Sequence, residues 1–318
     1  MLLTVEQPRQ TYFGFNPHSL EEQVGNTPLL RLVRTAKDYG LAPDVAVFAK
    51  AEWFNPGGSV KDRAALNIIR TAEEDGRLRP GMTILESTSG NTGIALAMLG
   101  TARGYRVKIL APENISPERK MILRAYGADL ILTDPAEGVD GAMLQVRQLA
   151  AQDPNMFYAN QYDNDANWQA HYLTTGNEIW RQTDGQITHF VAGTGTGGTF
   201  TGTTRRLKEL NPQILCYAAQ PTGPVNGIEG WKHMPTAIKP AIYDESLADG
   251  LLTANTEDAH AMARYLARHE GLFVGVSAAA AVFVAVKLAR TLEQGVVATV
   301  LPDNGWKYMS ESFWTEEE

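Results

Sequence analysis

Seven short apolar segments, at 45–49, 83–86, 106–110, 129–132, 189–192, 214–219 and 297–301, alternate along the chain with stretches of helical periodicity, among them 118–126, 141–151 and 257–270. Apolar strands separated by amphipathic helices predict an α/β fold of mostly parallel sheets covered by helices on both faces. At 318 residues the chain suits two domains and can bury a substantial core, and Asp153-Pro154-Asn155 offers a crossing between them. Three strand-to-helix passages are rich in glycine, and these carry the chemical signal.

The first is Asn55-Pro56-Gly57-Gly58-Ser59-Val60-Lys61-Asp62-Arg63. Ala65, Leu66, Ile68, Ile69 and Ala72 then follow helical spacing. Ser59 and Asp62 have the spacing of a capping box, which predicts a helix beginning at Val60 with Lys61 in its first turn. The positive end of the helix dipole disfavours an ammonium ion and favours a free amine. An isolated lysine there reads as solvated. A lysine that must form a Schiff base gains from the position.

The second passage is Ser87-Thr88-Ser89-Gly90-Asn91-Thr92-Gly93, ahead of a helix over 94–103. A helix N-terminus offers unpaired N–H groups and binds anions. An ordinary cap needs one polar residue. The surplus of hydroxyls and an amide favours a carboxylate or phosphate site. The third, Gly193-Thr194-Gly195-Thr196-Gly197-Gly198-Thr199, also contains G-x-G-x-x-G. The following strand ends at Gln220 rather than at the acid a dinucleotide ribose requires, and the loop lacks the Gly-Lys-Ser/Thr ending of a nucleotide-binding loop. What remains is a site for one phosphate group, with a reactive lysine elsewhere.

Other function classes find little support. A net charge of −8 with no basic run speaks against nucleic acid. The six histidines lack metal-ligand spacing, so no catalytic metal is expected. The one cysteine, Cys216, suits a reducing cytoplasm, and the N-terminus lacks a signal-peptide pattern. The longest apolar run, 278–286, is too short for a membrane span and reads as a buried helix. Ser277 reads as a helix N-cap rather than as a hydrolase nucleophile, because Gly275-Val276-Ser277-Ala278-Ala279 lacks the final glycine of that motif.

Taken in order, Gly25-Asn26-Thr27-Pro28-Leu29, the lysine passage, Ser89-Gly90-Asn91-Thr92-Gly93, Gln161-Tyr162, Gly195-Thr196-Gly197-Gly198-Thr199 and Lys307-Tyr308-Met309-Ser310 resemble the cysteine synthase family over nearly the whole chain. These are pyridoxal-phosphate enzymes of the tryptophan-synthase-β fold group. The segments 113–120 and 305–308 are more similar to the B-type than to the A-type enzymes.

The resemblance implies two α/β domains: 42–154, with a mobile substrate-binding part at about 87–131, and 14–41 together with 155–318. It implies that Lys61 carries pyridoxal 5'-phosphate and, once displaced by the amino-acid substrate, removes its α-proton. Gly195, Thr196, Gly197, Gly198 and Thr199 would hold the cofactor phosphate and Asn91 its 3'-oxygen, while Asp303 or Asn304 would face the pyridine nitrogen. Thr88, Ser89, Gly90, Thr92 and Gln161 would bind the substrate carboxylate, and Lys232 is a candidate reader of a phosphorylated substrate or a solvated lysine. The implied reaction makes L-cysteine from O-acetyl-L-serine or O-phospho-L-serine and sulfide or another sulfur donor, in a cytoplasmic homodimer. Serine acetyltransferase and a protein sulfur carrier are the implied partner types. The alternatives are a cystathionine β-synthase, a serine/threonine dehydratase, or a silent homologue acting as a binding partner.

Overall fold

The computed structural model describes residues 19–88 and 90–315. Among them, ten strands form two sheets: β1 (Leu29–Arg31), β2 (Asp44–Ala51), β3 (Thr83–Ser87), β4 (Arg106–Pro112), β5 (Asp129–Thr133), β6 (Met156–Tyr158), β7 (His189–Gly193), β8 (Leu215–Pro221), β9 (Gly250–Ala254) and β10 (Gln294–Leu301). The larger sheet has the order β1-β2-β10-β7-β8-β9, the smaller β5-β4-β3-β6. All pairings are parallel except β1 on β2. The helices are α1 (Val33–Asp38), α2 (Lys61–Glu74), α3 (Asn91–Ala102), α4 (Pro117–Ala125), α5 (Gly138–Gln152), α6 (Ala166–Leu173), α7 (Thr175–Gln182), α8 (Gly198–Leu210), α9 (Thr256–Tyr265) and α10 (Val276–Ala289). None is long and apolar enough to cross a membrane.

The two-sheet α/β architecture agrees with the sequence. Strand β7 is buried from His189 to Ala192, as a central parallel strand covered on both faces must be. Three short strands, β1, β6 and β9, escape the sequence pattern. They lie at sheet edges, and β9 alternates burial instead of forming an apolar run. The expected boundaries at 42 and 154 do not follow the strand pairing. β2 runs in register with β10 from Asp44↔Gln294 to Ala51↔Leu301 and belongs to the larger sheet. β6 pairs with β3 in the smaller one. A partner some 250 residues away in sequence leaves no local trace.

Helix α2 bridges the two halves. Val60, just before it, packs in a core cluster with Phe190, Phe200 and Val300 of the larger half. From Ala65 onward the helix packs with Ile84, Ile94 and Leu96 of the smaller half. Lys61 therefore stands at the seam between two cores. Behind the larger sheet, α10 is apolar nearly all round and buried along most of its length. Cys216 on β8 has no exposed surface, and burial pushes its thiol up to about 12.

Candidate active site

Lys61 is the first residue of α2, one position later than the capping pattern predicts. The box itself does not form. Ser59 Oγ accepts from the Lys61 N–H at 3.2 Å, and the Asp62 carboxylate reaches back to the Gly57 N–H at 2.5 Å. The Asn55–Gly58 turn presents that N–H to the Asp62 carboxylate. Lys307 Nζ braces the same turn through the carbonyls of Gly57 and Gly58, and the Val60 N–H donates to Pro302 O at 2.8 Å. Burial lowers the Lys61 amine to about 8, opposed by the nearby Glu86 carboxyl. Desolvation, rather than the helix dipole, is thus the main reason the amine loses its proton easily.

A cavity of about 180 Å³ opens in front of Lys61. On one wall stands the third glycine passage, after β7. A Cβ on Gly195 would run into the Gly230 carbonyl oxygen, and one on Gly198 into the Asn167 amide. Gly197 has φ +86°, a conformation that suits glycine alone, and caps α8. The chain here is forced close to its neighbours, leaving the first N–H groups of α8 beside the hydroxyls of Thr196 and Thr199. Thr196 Oγ1 accepts from Asn167 Nδ2 at 3.2 Å, and Thr199 Oγ1 meets His171 Nε2 at 3.3 Å. Burial lowers His171 to about 3, so its ring is neutral. This donor set suits a phosphate. Gly195, Thr196, Gly197 and Thr199 line the cavity, whereas Gly198 begins the helix behind them.

The second glycine passage forms the facing wall, with Thr88, Gly90, Asn91 and Thr92 at the start of α3. Ser89 lies outside the described residues. Gln161 joins this wall from the chain after β6. Its Oε1 accepts from Thr92 Oγ1 at 2.6 Å. Beneath it lies Glu86, which the sequence reading did not single out. Its carboxyl accepts the N–H groups of Ser87 at 2.8 Å and Gln161 at 3.0 Å, and so ties the loop to Gln161. Burial raises Glu86 to about 8, with the same two N–H groups acting against the shift. Lys232 lines the cavity from the larger half, its Nζ 4.6 Å from the Tyr162 ring centroid.

Two expected residues stand elsewhere. Neither Asp303 nor Asn304 lines the cavity; Pro302 and Ser277 do. Asp303 is fully buried, with Oδ2 accepting from Asn91 Nδ2 at 2.7 Å and Tyr308 Oη at 3.0 Å. Its Oδ1 lies against Gly275, where a Cβ would collide with it. Asp303 thus supports Asn91 from behind, and Lys307 Nζ holds the Asn91 Oδ1 at 2.7 Å. Asn304 accepts the Trp306 N–H at 3.2 Å. Ser277 is not the N-cap; Gly275 is, and the serine lies inside the first turn of α10 facing the cavity. Arg119, Glu229, Trp231 and Tyr308 also line the cavity; Arg119 and Tyr308 fall in segments that carry the family resemblance, but the sequence assigns none of the four a role, because a charged or aromatic residue on a surface pattern looks alike whether or not a cleft covers it.

The family model of the pyridoxal-phosphate dependent enzymes matches residues 20–303. A cysteine synthase of Aquifex aeolicus is 50% identical over 93% of this chain and 91% of its own length. Cysteine synthase B of Escherichia coli is 43% identical over 94% of this chain and 97% of its own length. The crystal structure of a cysteine synthase from Entamoeba histolytica superposes with a TM-score of 0.90 at 36% identity, covering 100% of this chain and 95% of that one.

Proposed function

The chain belongs to the pyridoxal-phosphate dependent enzyme family, and from that premise we propose that it makes L-cysteine from O-acetyl-L-serine and sulfide by replacing the substituent on the β-carbon. The observation that carries the reading is one cavity holding a half-buried lysine of lowered basicity, a glycine cradle with phosphate-binding donors, and a polar loop suited to a carboxylate. Pyridoxal phosphate, when bound, supplies an electron sink for the bond-breaking at the substrate α-carbon.

In this reading the chain's own residues divide the remaining work. Gly195, Thr196, Gly197 and Thr199 hold the cofactor phosphate, with Gly198 shaping the helix start. Asn91, fixed from two sides by Asp303 and Lys307, presents its amide to the cofactor's 3'-oxygen. Ser277, on the cavity wall, is the hydroxyl that would serve as a neutral partner for the pyridine nitrogen. Thr88, Gly90, Thr92 and Gln161 receive the substrate carboxylate. Lys61, whose amine is lowered to about 8 and so is largely free above that pH, holds the cofactor and then takes the proton from the substrate α-carbon. Lys232 is the residue that would favour O-phospho-L-serine over the acetyl ester. A cytoplasmic homodimer is part of the same proposal and rests on the family resemblance and the single cysteine.

The test is a product assay that crosses O-acetyl-L-serine and O-phospho-L-serine with sulfide and thiosulfate. Cysteine should form from the acetyl ester and sulfide, and Lys61→Ala should remove the activity while leaving the melting transition in place. Cysteine formed at wild-type rates by Lys61→Ala would end the assignment.

A further inference from the structure

Arg119 borders the cavity yet is only 2% exposed. It lies in the first turn of α4, on the smaller-sheet side of the cleft. Its guanidinium stacks 4.7 Å from the centroid of the Tyr308 ring, which fixes its plane. One Nη2–H pairs with Glu229, on the loop beyond β8 that belongs to the opposite wall. The Nε–H is buried without a hydrogen-bond partner among the described residues. Gly90, which lines the cavity, lies beside it: a Cβ there would stand 4.0 Å from Nε.

Glu229 is unlike its partner. Its side chain is 44% exposed, and it sits on a loop between Gly227 and Gly230, the latter at φ +88°. A guanidinium does not give up its proton, so a buried one needs an anion beside it. The present anion can leave for water at small cost, because it is already half in water. The cation cannot follow.

We propose that the Arg119–Glu229 pair is an exchangeable anion seat, in which a tetrahedral oxyanion carried by a substrate takes the Arg119 N–H groups and Glu229 turns out to solvent. The inference rests on the proposed amino-acid chemistry in this cavity and adds a residue that selects among its substrates. Nε and Nη2 form a fork that suits two oxygens of a phosphate or sulfonate group, and the incoming anion also satisfies the orphaned Nε–H. Two sources share this chemistry: a phosphate ester on the serine donor and a sulfonate-bearing sulfur donor. Sulfide has no oxygen to offer and leaves Glu229 in place. The exchange breaks no covalent bond, and an anion of up to about two charges replaces the single charge of the Glu229 carboxylate beside Arg119.

The experiment is calorimetric titration of the holoenzyme with inorganic sulfate at low ionic strength, for the wild type, Glu229→Gln and Arg119→Gln. Removing the internal competitor should tighten sulfate binding about tenfold, and removing the cation should weaken it by a similar factor. Added chloride should compress both differences. Turnover separates the sources: in Glu229→Gln the kcat/KM ratio of thiosulfate to sulfide, or of O-phospho-L-serine to O-acetyl-L-serine, should rise about tenfold. Sulfate binding equal in Glu229→Gln and the wild type, or undiminished in Arg119→Gln, overturns the seat. If Arg119→Gln does not fold, the Glu229→Gln titration decides alone, since that side chain is half exposed. Sulfate binding that behaves as described in a protein unable to make cysteine from sulfide would sink the proposed reaction and keep the seat.

Discussion

The two glycine passages that face each other across the cavity are built on opposite principles. In the Gly195–Thr199 wall the backbone is wedged. Gly195 lies against a carbonyl, Gly198 against an amide, and Gly197 adopts a left-handed conformation. In the Thr88–Gly93 wall a Cβ on Gly90 would meet no atom closer than 4.0 Å, while the side chains of Asn91 and Thr92 are held by partners outside the loop. Thr92 hangs on Gln161, and Gln161 hangs on Glu86. A group that stays through every turnover is best held by a wall that cannot move. A carboxylate that comes and goes is better met by one whose last contacts the ligand itself completes.

The largest break in this contrast should come from Gly195→Ala. Its methyl group has no room without shifting Gly230, and overpacking of a few kcal/mol corresponds to a loss of about a hundredfold or more in cofactor affinity. Cofactor retention after dialysis measures it. Full retention would show that the wall yields. Gln161→Ala attacks the other side. It should raise KM for the amino acid about tenfold, the worth of one or two hydrogen bonds, with cofactor content unchanged. A variant that loses cofactor instead would mean the two walls are not separable.

Glu86 sharpens the comparison through pH. The folded protein raises this carboxyl from its ordinary 4.5 to about 8, so between those values the folded state holds a proton that the unfolded state has released. The contribution to stability is complete below about 4.5 and is lost as pH climbs toward 8. Glu86→Gln keeps a neutral side chain at every pH. The cofactor-stripped variant and wild type should melt together near pH 5, and the variant should gain by a few degrees, roughly, toward pH 8. Lys61 acts in a separate window, between about 8 and 10.5, where its depressed pKa makes stability rise with pH in both proteins. Parallel melting curves from pH 5 to 8 would remove Glu86 as a buried acid. The smallest effect belongs to Gly90→Ala. With φ −150° and open space around its Cβ, it should retain cofactor within about twofold of the wild type.

Much of this was legible because short-range rules govern it. Lys61 was recognisable from a glycine turn feeding a helical repeat, and the phosphate cradle from glycines and threonines at a helix start. The alternation of apolar runs foretold parallel sheets. What escaped depends on contacts between distant segments. The Ser59–Asp62 spacing predicts a capping box, but the turn at Gly57 takes the carboxylate instead. The Pro302–Asn304 stretch was expected to present a polar side chain to the cavity, yet Asp303 turns toward Gly275 and Tyr308, leaving Ser277 of α10 on the cavity wall. Arg119 is hidden for a related reason. Pro-Glu-Arg-Lys has the look of a solvated helix start, and only the return of the chain at Tyr308 and Glu229 encloses it.

Cys216 has a bearing on the company this protein keeps. Polysulfides, formed when sulfide is oxidised, transfer sulfane sulfur to thiolates. The chain's single sulfhydryl lies inside β8 with no exposed surface, and at pH 7 a group that ionises at about 12 is essentially never a thiolate. The one cysteine of the chain therefore offers such sulfur no thiolate to modify and no bridge to a second copy.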